Sequence, residues 1–215
     1  MQPLSESQRK ALDTAAKTYR EQMDGATLSY LAGRGLTPEV VTRFGLGFVE
    51  TAMSGHEYLQ GRLVIPYVGP HNNVYNLRFR CLDHADCKAE GCNSKYMSLP
   101  GYPSRVFNVR SLVEAEDSIH VTEGELDAVT LEACGLYAVG IPGVDNMPTH
   151  FSRMLAGFSS ITLWADSDKA GRALTNRFTK AVPSARTVLL PDAQDVNSIF
   201  ATLGKEGLLS FLEEK

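Results

Sequence analysis

The sequence lacks the features of membrane, secreted and P-loop proteins. The chain contains no run of about 18 apolar residues that could cross a bilayer. In residues 1–10, no apolar stretch follows a basic region, as it would in a signal peptide. The pattern G-x-x-x-x-G-K-[ST] is absent, which excludes a P-loop ATPase. We therefore expect a cytoplasmic protein with no membrane contact.

Positive charge is also scarce. The chain of 215 residues carries 21 Lys and Arg against 25 Asp and Glu, a net charge of −4. The whole chain would therefore not attract a polyanion, and any nucleic acid would need a local basic patch together with metal ions. The hydrophobic content of 43% is ordinary for a globular protein that buries a core.

The order of predicted elements divides the chain near residue 115. Residues 1–115 combine helices at 5–23, 26–32 and 37–44 with a hairpin of strands at 63–68 and 74–80, which indicates an α+β domain. In residues 116–215 strands and helices alternate strictly, which predicts an α/β domain with a parallel sheet. Its predicted strands are 119–122, 137–141, 161–165 and 187–190, and its predicted helices are 125–134, about 148–155 and 169–181.

Acidic residues follow two of these strands. Glu123 ends the first strand and Asp127 lies in the first turn of the next helix, while Asp166 and Asp168 end the third strand. Ligands bind at the carboxyl ends of parallel strands, and clustered carboxylates repel one another unless a cation bridges them. Hard oxygen ligands suit Mg²⁺, which predicts phosphoryl or nucleotidyl transfer.

A structural alternative exists for each of these acids. Asp127 would then only complement a helix dipole, and Asp166 and Asp168 would cap the following helix. Lys169 and Arg172 come next, and they either hold phosphate or form the solvated start of a helix.

The acidic segments resemble the TOPRIM domain shared by bacterial-type primases, type I and II topoisomerases and some nucleases. The resemblance rests on Glu123, Gly124 and Asp127 and on the segment 166–172. Upstream, the chain resembles the catalytic core of DnaG-type primases, so that the likeness covers roughly residues 26–203. The segments that carry this second likeness are 30–37, 44–47, 61–66, 94–97 and 106–108.

This resemblance implies a TOPRIM domain with a Rossmann-like parallel sheet, preceded by a smaller α+β primase-core subdomain. Glu123, Asp166 and Asp168 would be catalytic. Asn197 stands where the family usually has a second aspartate, which weakens a metal-binding role at that position. The acids implied to hold Mg²⁺ or Mn²⁺ are Glu123, Asp127, Asp166, Asp168 and Asp195.

The resemblance also assigns basic residues to the DNA template and the nucleotides. Arg78, Arg80 and Lys95 match by position, and together they would form the second half of the active cleft. Arg78 and Arg80 share one face of a strand, and the alternative is that this face is solvated. The full predicted set for nucleic acid and triphosphate is Arg78, Arg80, Lys95, Lys169 and Arg172.

The activity implied is synthesis of short RNA primers from ribonucleoside triphosphates on single-stranded DNA, in a bacterium or a phage-infected cell. No zinc-ribbon domain precedes the core and no helicase domain follows it, so we expect a replicative helicase or a separate template-recognition protein as partner. The alternatives are a TOPRIM metal-dependent nuclease and a non-catalytic replisome protein that binds single-stranded DNA.

A cysteine-histidine segment spans residues 81–92. Cys81, His84, Cys87 and Cys92 have the spacing C-x₂-H-x₂-C-x₄-C, which offers four ligands to a structural Zn²⁺. The alternative is an exposed loop with reduced thiols.

Overall fold

A computed structural model describes residues 3–82, 94–141, 150–167 and 169–213. The chain forms two compact units: Met1–Ala32 with Thr37–Pro103, and Gly33–Leu36 with Ser104–Lys215. The division into domains 1–115 and 116–215 stays a prediction. In the structure, the chain passes from the first unit to the second after Pro103.

The first unit is built on an antiparallel sheet. Its strands are β1 (Gly47–Phe48), β2 (Arg62–Val68), β3 (Val74–Cys81) and β4 (Tyr96–Ser98), in the order β1-β2-β3-β4. The predicted hairpin is confirmed, because β2 and β3 pair antiparallel around residues 69–73. The short strand β4 was not predicted, and it pairs with β3 through Arg78–Ser98, Phe79–Met97 and Arg80–Tyr96.

In the part of the chain that the structure describes, the α-helices of this unit all precede the sheet. Helix α1 (Glu6–Glu21) begins with a capping box between Ser5 and Gln8, α2 spans Gly25–Gly33, and α3 spans Pro38–Phe44. Thr37 caps α3 and Pro38 is its first residue, as the sequence predicts. The apolar face of α1 and the inner face of the sheet share one core, which includes Leu12, Ala15, Tyr19, Leu77 and Phe79.

The second unit is built on a parallel sheet. Its strands are β5 (Ser118–Thr122), β6 (Ala138–Gly140), β7 (Ser160–Ala165) and β8 (Arg186–Leu189), in the order β6-β5-β7-β8. All three strand pairs are parallel, so the predicted α/β alternation is confirmed. The chain leaves β5 towards β6 and then continues on the other side of β5 with β7 and β8. Such a reversal marks the point where ligands bind in α/β sheets.

The helices that the structure describes in this unit are α4 (Ser111–Glu114), α5 (Glu125–Ala133), α6 (Phe151–Leu155), α7 (Lys169–Ala181) and α8 (Val196–Ser210). Gly204 interrupts α8 with φ 71°. Helices α4 and α8 were not predicted. Over the ranges that the structure describes, no helix has the length and apolar composition needed to cross a membrane.

The buried carboxylate of Glu132 connects strand β6 to α4 and α5. Glu132 on α5 is 4% exposed, and its Oε1 accepts from the Ala138 backbone N–H at 3.0 Å and from Asn108 Nδ2 at 3.0 Å. The Ser111 hydroxyl donates to the same oxygen. Buried carboxylates need such donors, and this one connects α4, α5 and β6.

Two aromatic side chains meet on neighbouring strands of the parallel sheet. The Trp164 indole N–H donates to His120 Nδ1 at 3.0 Å, and both side chains are buried. Burial lowers the pKa of His120 to about 4, so this ring is neutral and accepts through Nδ1.

Candidate active site

The first acidic pair lies at the end of β5. Glu123 and Gly124 form the turn into α5, and Asp127 lies in the first turn of that helix. The Thr122 hydroxyl donates to the Gly124 carbonyl at 2.9 Å and holds the turn. A Cβ atom on Gly124 would collide with Asp127 Oδ2. Glycine at this position therefore allows the Asp127 carboxylate to lie over the turn that carries Glu123.

The other oxygen of Asp127 is held by α8. The backbone N–H of Asn197 donates to Asp127 Oδ1 at 3.0 Å. Asn197 is 1% exposed and its side-chain amide bonds to Thr130 Oγ1 at 2.8 Å, to the Arg34 carbonyl at 3.1 Å and to Arg34 Nη1 at 2.6 Å. In the sequence, Asn197 stands out only as a departure from a family pattern, and its contacts with Asp127 and Arg34 are visible only in the structure.

The second acidic position lies at the end of β7. Asp166 follows the strand, and both Asp166 and Ser167 are half-buried. A Cβ atom on Gly171, in the first turn of α7, would lie 2.7 Å from the Asp166 carbonyl carbon and closer still to its oxygen. Only glycine therefore allows α7 to start so close to the loop that carries Asp166. Asp168 lies outside the described residues.

Strands β5 and β7 are neighbours in the sheet, with Val121 paired to Leu163. Glu123 and Asp166 therefore follow the carboxyl ends of adjacent strands. The sequence predicts both strand ends in one sheet, but not that the two strands are neighbours. Within the described ranges, no three His, Cys, Asp or Glu side chains meet closely enough to hold a metal ion. The chemistry of the donors fits a hard divalent cation, and the orientation of Asp127 Oδ2 over Gly124 leaves that oxygen facing the turn of Glu123.

Asp195 has a structural role that was not predicted from the sequence. It caps α8: its carboxylate accepts from the Ser198 backbone N–H at 2.7 Å, and the Ser198 hydroxyl accepts from the Asp195 N–H at 2.9 Å. The spacing D-x-x-S is a signal from which this capping box could have been found. Metal binding by Asp195 stays a prediction.

The basic residues after Asp166 open α7. Lys169 is its first residue, and its side chain lies outside the described part. Arg172 is exposed, and its Nη1 donates to the Ser167 carbonyl, which turns the guanidinium back towards the loop after β7. Phosphate binding by Lys169 and Arg172 stays a prediction.

The predicted basic face of β3 is a cluster of two arginines around one tyrosine. The guanidinium carbons of Arg78 and Arg80 lie 5.4 Å and 5.3 Å from the ring centre of Tyr96, and Arg80 donates to the Tyr96 hydroxyl. The shared face is confirmed. Arg80 is only 7% exposed, so the alternative of a solvated face is wrong for Arg80, while Arg78 is half-buried and Lys95 is exposed.

The zinc prediction falls mostly outside the described residues. Cys81 is buried at the end of β3. His84, Cys87 and Cys92 are not among the described residues, so Zn²⁺ binding by this segment stays a prediction.

Comparison with known proteins decides the family. A family model described as Toprim-like matches residues 120–200. The "Gene 57 protein" of Mycobacterium phage D29 is 35% identical over 154 residues, which cover 70% of this chain and 97% of that protein. A DNA primase of Pseudomonas putida is 27% identical over 254 residues, which cover 94% of this chain and 37% of the primase. The chain belongs to the DnaG-type primase family and carries its TOPRIM domain.

Solved structures of this primase family share the fold. A DNA primase domain from Pseudomonas aeruginosa matches with a TM-score of 0.77 at 22% identity, covering 96% of this chain and 78% of that one. The RNA polymerase domain of Mycobacterium tuberculosis primase DnaG matches with a TM-score of 0.77 at 18% identity, covering 98% and 84%. These identities show the fold alone. The chain spans less than half the length of the curated DNA primases that it matches.

Proposed function

We propose that this chain is the catalytic core of a phage-encoded DNA primase, which synthesises short RNA primers on single-stranded DNA from ribonucleoside triphosphates. The proposal rests on one observation. Glu123 and Asp166 follow the carboxyl ends of adjacent strands β5 and β7, in a chain whose relatives include proteins named DNA primase. The similarity to a protein of Mycobacterium phage D29 supports the phage origin. We place its activity in the cytoplasm of the infected cell, where the template is.

The acids have distinct roles in this proposal. Glu123, Asp166 and Asp168 are catalytic, and with Asp127 and Asp195 they hold Mg²⁺ or Mn²⁺. A bound divalent cation neutralises the triphosphate and lowers the barrier for attack by a 3′-hydroxyl. The chain's own contribution is to orient the carboxylates. Asp127 is held by the Asn197 N–H, and the backbone of Asp166 is held against Gly171.

The template and the nucleotides are bound by basic residues. Lys95 is exposed and Arg78 half-buried, which suits contact with phosphate, whereas the buried Arg80 holds Tyr96 in place. A solved DnaG primase catalytic domain bound to single-stranded DNA has this fold, with a TM-score of 0.73 at 22% identity. We further propose a replicative helicase or a template-recognition protein as partner.

Primer synthesis by acid variants tests the proposal. Purified protein is given a single-stranded template, labelled ribonucleotides and Mg²⁺ or Mn²⁺. Glu123→Gln and Asp166→Asn each remove one carboxylate charge, and each should reduce primer yield by at least about 100-fold. Matched controls are Glu114→Gln and Asp192→Asn at exposed positions, which should prime like the wild type.

Two results would reject the proposal. One is an unchanged primer yield in Glu123→Gln and Asp166→Asn. The other is metal-dependent nicking of DNA without nucleotides by a protein that makes no primers, which would identify a nuclease instead.

A further inference from the structure

Asn197 is buried at the start of α8 and uses all the donors of its side chain. Its Nδ2 donates to Thr130 Oγ1 at 2.8 Å and to the Arg34 carbonyl at 3.1 Å, while Oδ1 accepts from Arg34 Nη1 at 2.6 Å. The backbone N–H of Asn197 donates to Asp127 Oδ1. One residue therefore connects α5, α8 and the segment that contains Arg34.

The surroundings of this side chain select an amide rather than a carboxylate. The Thr130 hydroxyl gives its own proton to the Leu126 carbonyl at 2.8 Å, so towards Asn197 it can only accept. The Arg34 carbonyl also only accepts, whereas the Arg34 guanidinium only donates. The amide matches all three partners. A carboxylate in the same position would turn one oxygen towards two acceptors.

The consequence falls on Asp127. Its Oδ1 is bound by the Asn197 N–H, and its Oδ2 lies over Gly124, in the turn that carries Glu123. The two oxygens of this carboxylate therefore have different surroundings: Oδ1 accepts from the start of α8, and Oδ2 lies against the turn between β5 and α5.

We propose that Asn197 is a positioning residue for the metal site, which fixes the Asp127 carboxylate through α8 and does not itself bind metal. Its buried Oδ1 accepts from Arg34, and an amide nitrogen is not a metal ligand. This proposal rests on the proposed function only in taking Asp127 as a metal-binding acid. Groups that orient metal ligands typically contribute about 10- to 100-fold to metal affinity.

Titration of the metal-free protein with Mn²⁺ tests this role without any primer synthesis. Asn197→Ala removes the bonds that anchor the start of α8, and it should weaken Mn²⁺ binding about 10-fold. Asn197→Asp keeps the shape but loses both Nδ2 donations, and it should also bind Mn²⁺ more weakly than the wild type. Asn176→Ala, at an exposed position of α7, is the matched control and should bind Mn²⁺ normally.

A double-mutant cycle separates positioning from a general loss of stability. In an Asp127→Ala background, Asn197→Ala should weaken Mn²⁺ binding no further, because the carboxylate that it positions is gone. An additive loss would contradict the proposal. If Asn197→Ala does not fold, Thr130→Val removes one partner of the amide at nearly constant volume, and a smaller loss of about 3-fold is expected.

Three further outcomes would overturn the proposal: Asn197→Ala with wild-type Mn²⁺ affinity, Asn197→Asp that binds Mn²⁺ more tightly than the wild type, and a wild-type protein that binds no Mn²⁺. Failure of the proposed function looks different. The wild type would then bind Mn²⁺ and show the expected cycle, but it would make no primers.

Discussion

Substitution of Gly171 by alanine should disturb the candidate active site through the backbone alone. The added Cβ would lie 2.7 Å from the Asp166 carbonyl carbon and 3.0 Å from its Cα. An ordinary contact needs about 3.5 Å, so the first turn of α7 must move by about 1 Å away from the end of β7. A displacement of this size at catalytic groups costs about 100-fold in rate, and overpacking costs about 1–3 kcal/mol of stability.

The two effects can be measured separately. Urea denaturation gives the free energy of unfolding of Gly171→Ala, and the template-dependent labelling assay gives its primer yield at a temperature where the variant is folded. Gly157→Ala is the matched control, because a Cβ atom at Gly157 meets nothing within 4 Å. If Gly171→Ala primes and unfolds like Gly157→Ala, the reasoning from close backbone approach is refuted.

Two further predictions concern the core of the parallel sheet. The pKa of His120 is lowered from its ordinary 6.5 to about 4, because the folded protein buries the neutral ring. The unfolded chain therefore takes up a proton first as the pH falls, and the free energy of unfolding, constant above pH 6.5 as far as His120 is concerned, decreases between pH 6.5 and 4. The decrease amounts to about 3 kcal/mol at pH 4. Urea denaturation should show this decrease in the wild type and a correspondingly smaller one in His120→Gln. Equal decreases in both proteins would contradict the assignment of the lowered pKa to His120. Glu132→Leu leaves the Ser111 hydroxyl and the Ala138 N–H without their buried acceptor, whereas Asn108 Nδ2 keeps Ser111 Oγ and the Ala138 carbonyl. The substitution should lower the free energy of unfolding by about 3 kcal/mol at pH 7, and a change below about 1 kcal/mol would show that these donors find other partners.

The strands of the second unit and its helices α5, α6 and α7 could be predicted because their patterns are local. Buried parallel strands are continuous apolar runs, as in β7, and amphipathic helices such as α7 repeat their apolar residues with a helical period. Helix α8 was missed because Gly204 and Gly207 make its sequence a poor helix former. Strand β4 is three residues long, too short to show any alternation, and it becomes a strand by pairing with β3.

Part of the candidate site could also be predicted from local patterns. Glu123 and Asp166 could be assigned to one edge of the sheet because each ends an apolar strand. The hydrogen bond between Arg34 and Asn197 joins residues 163 positions apart, so no sequence pattern within one element could reveal it. The burial of Arg80 was not predicted either, because arginine is usually exposed. Its burial depends on the contact with Tyr96, which the sequence does not reveal.

The assignment of Gly33–Leu36 to the second unit has a consequence for how this chain can be divided. The polypeptide passes from one unit to the other three times, after Ala32, Leu36 and Pro103. A fragment that starts at residue 104 would lack Arg34, and the Asn197 amide would lose two of its three side-chain hydrogen bonds. The second unit is therefore not a module that recombination could exchange, or truncation isolate, as one continuous segment.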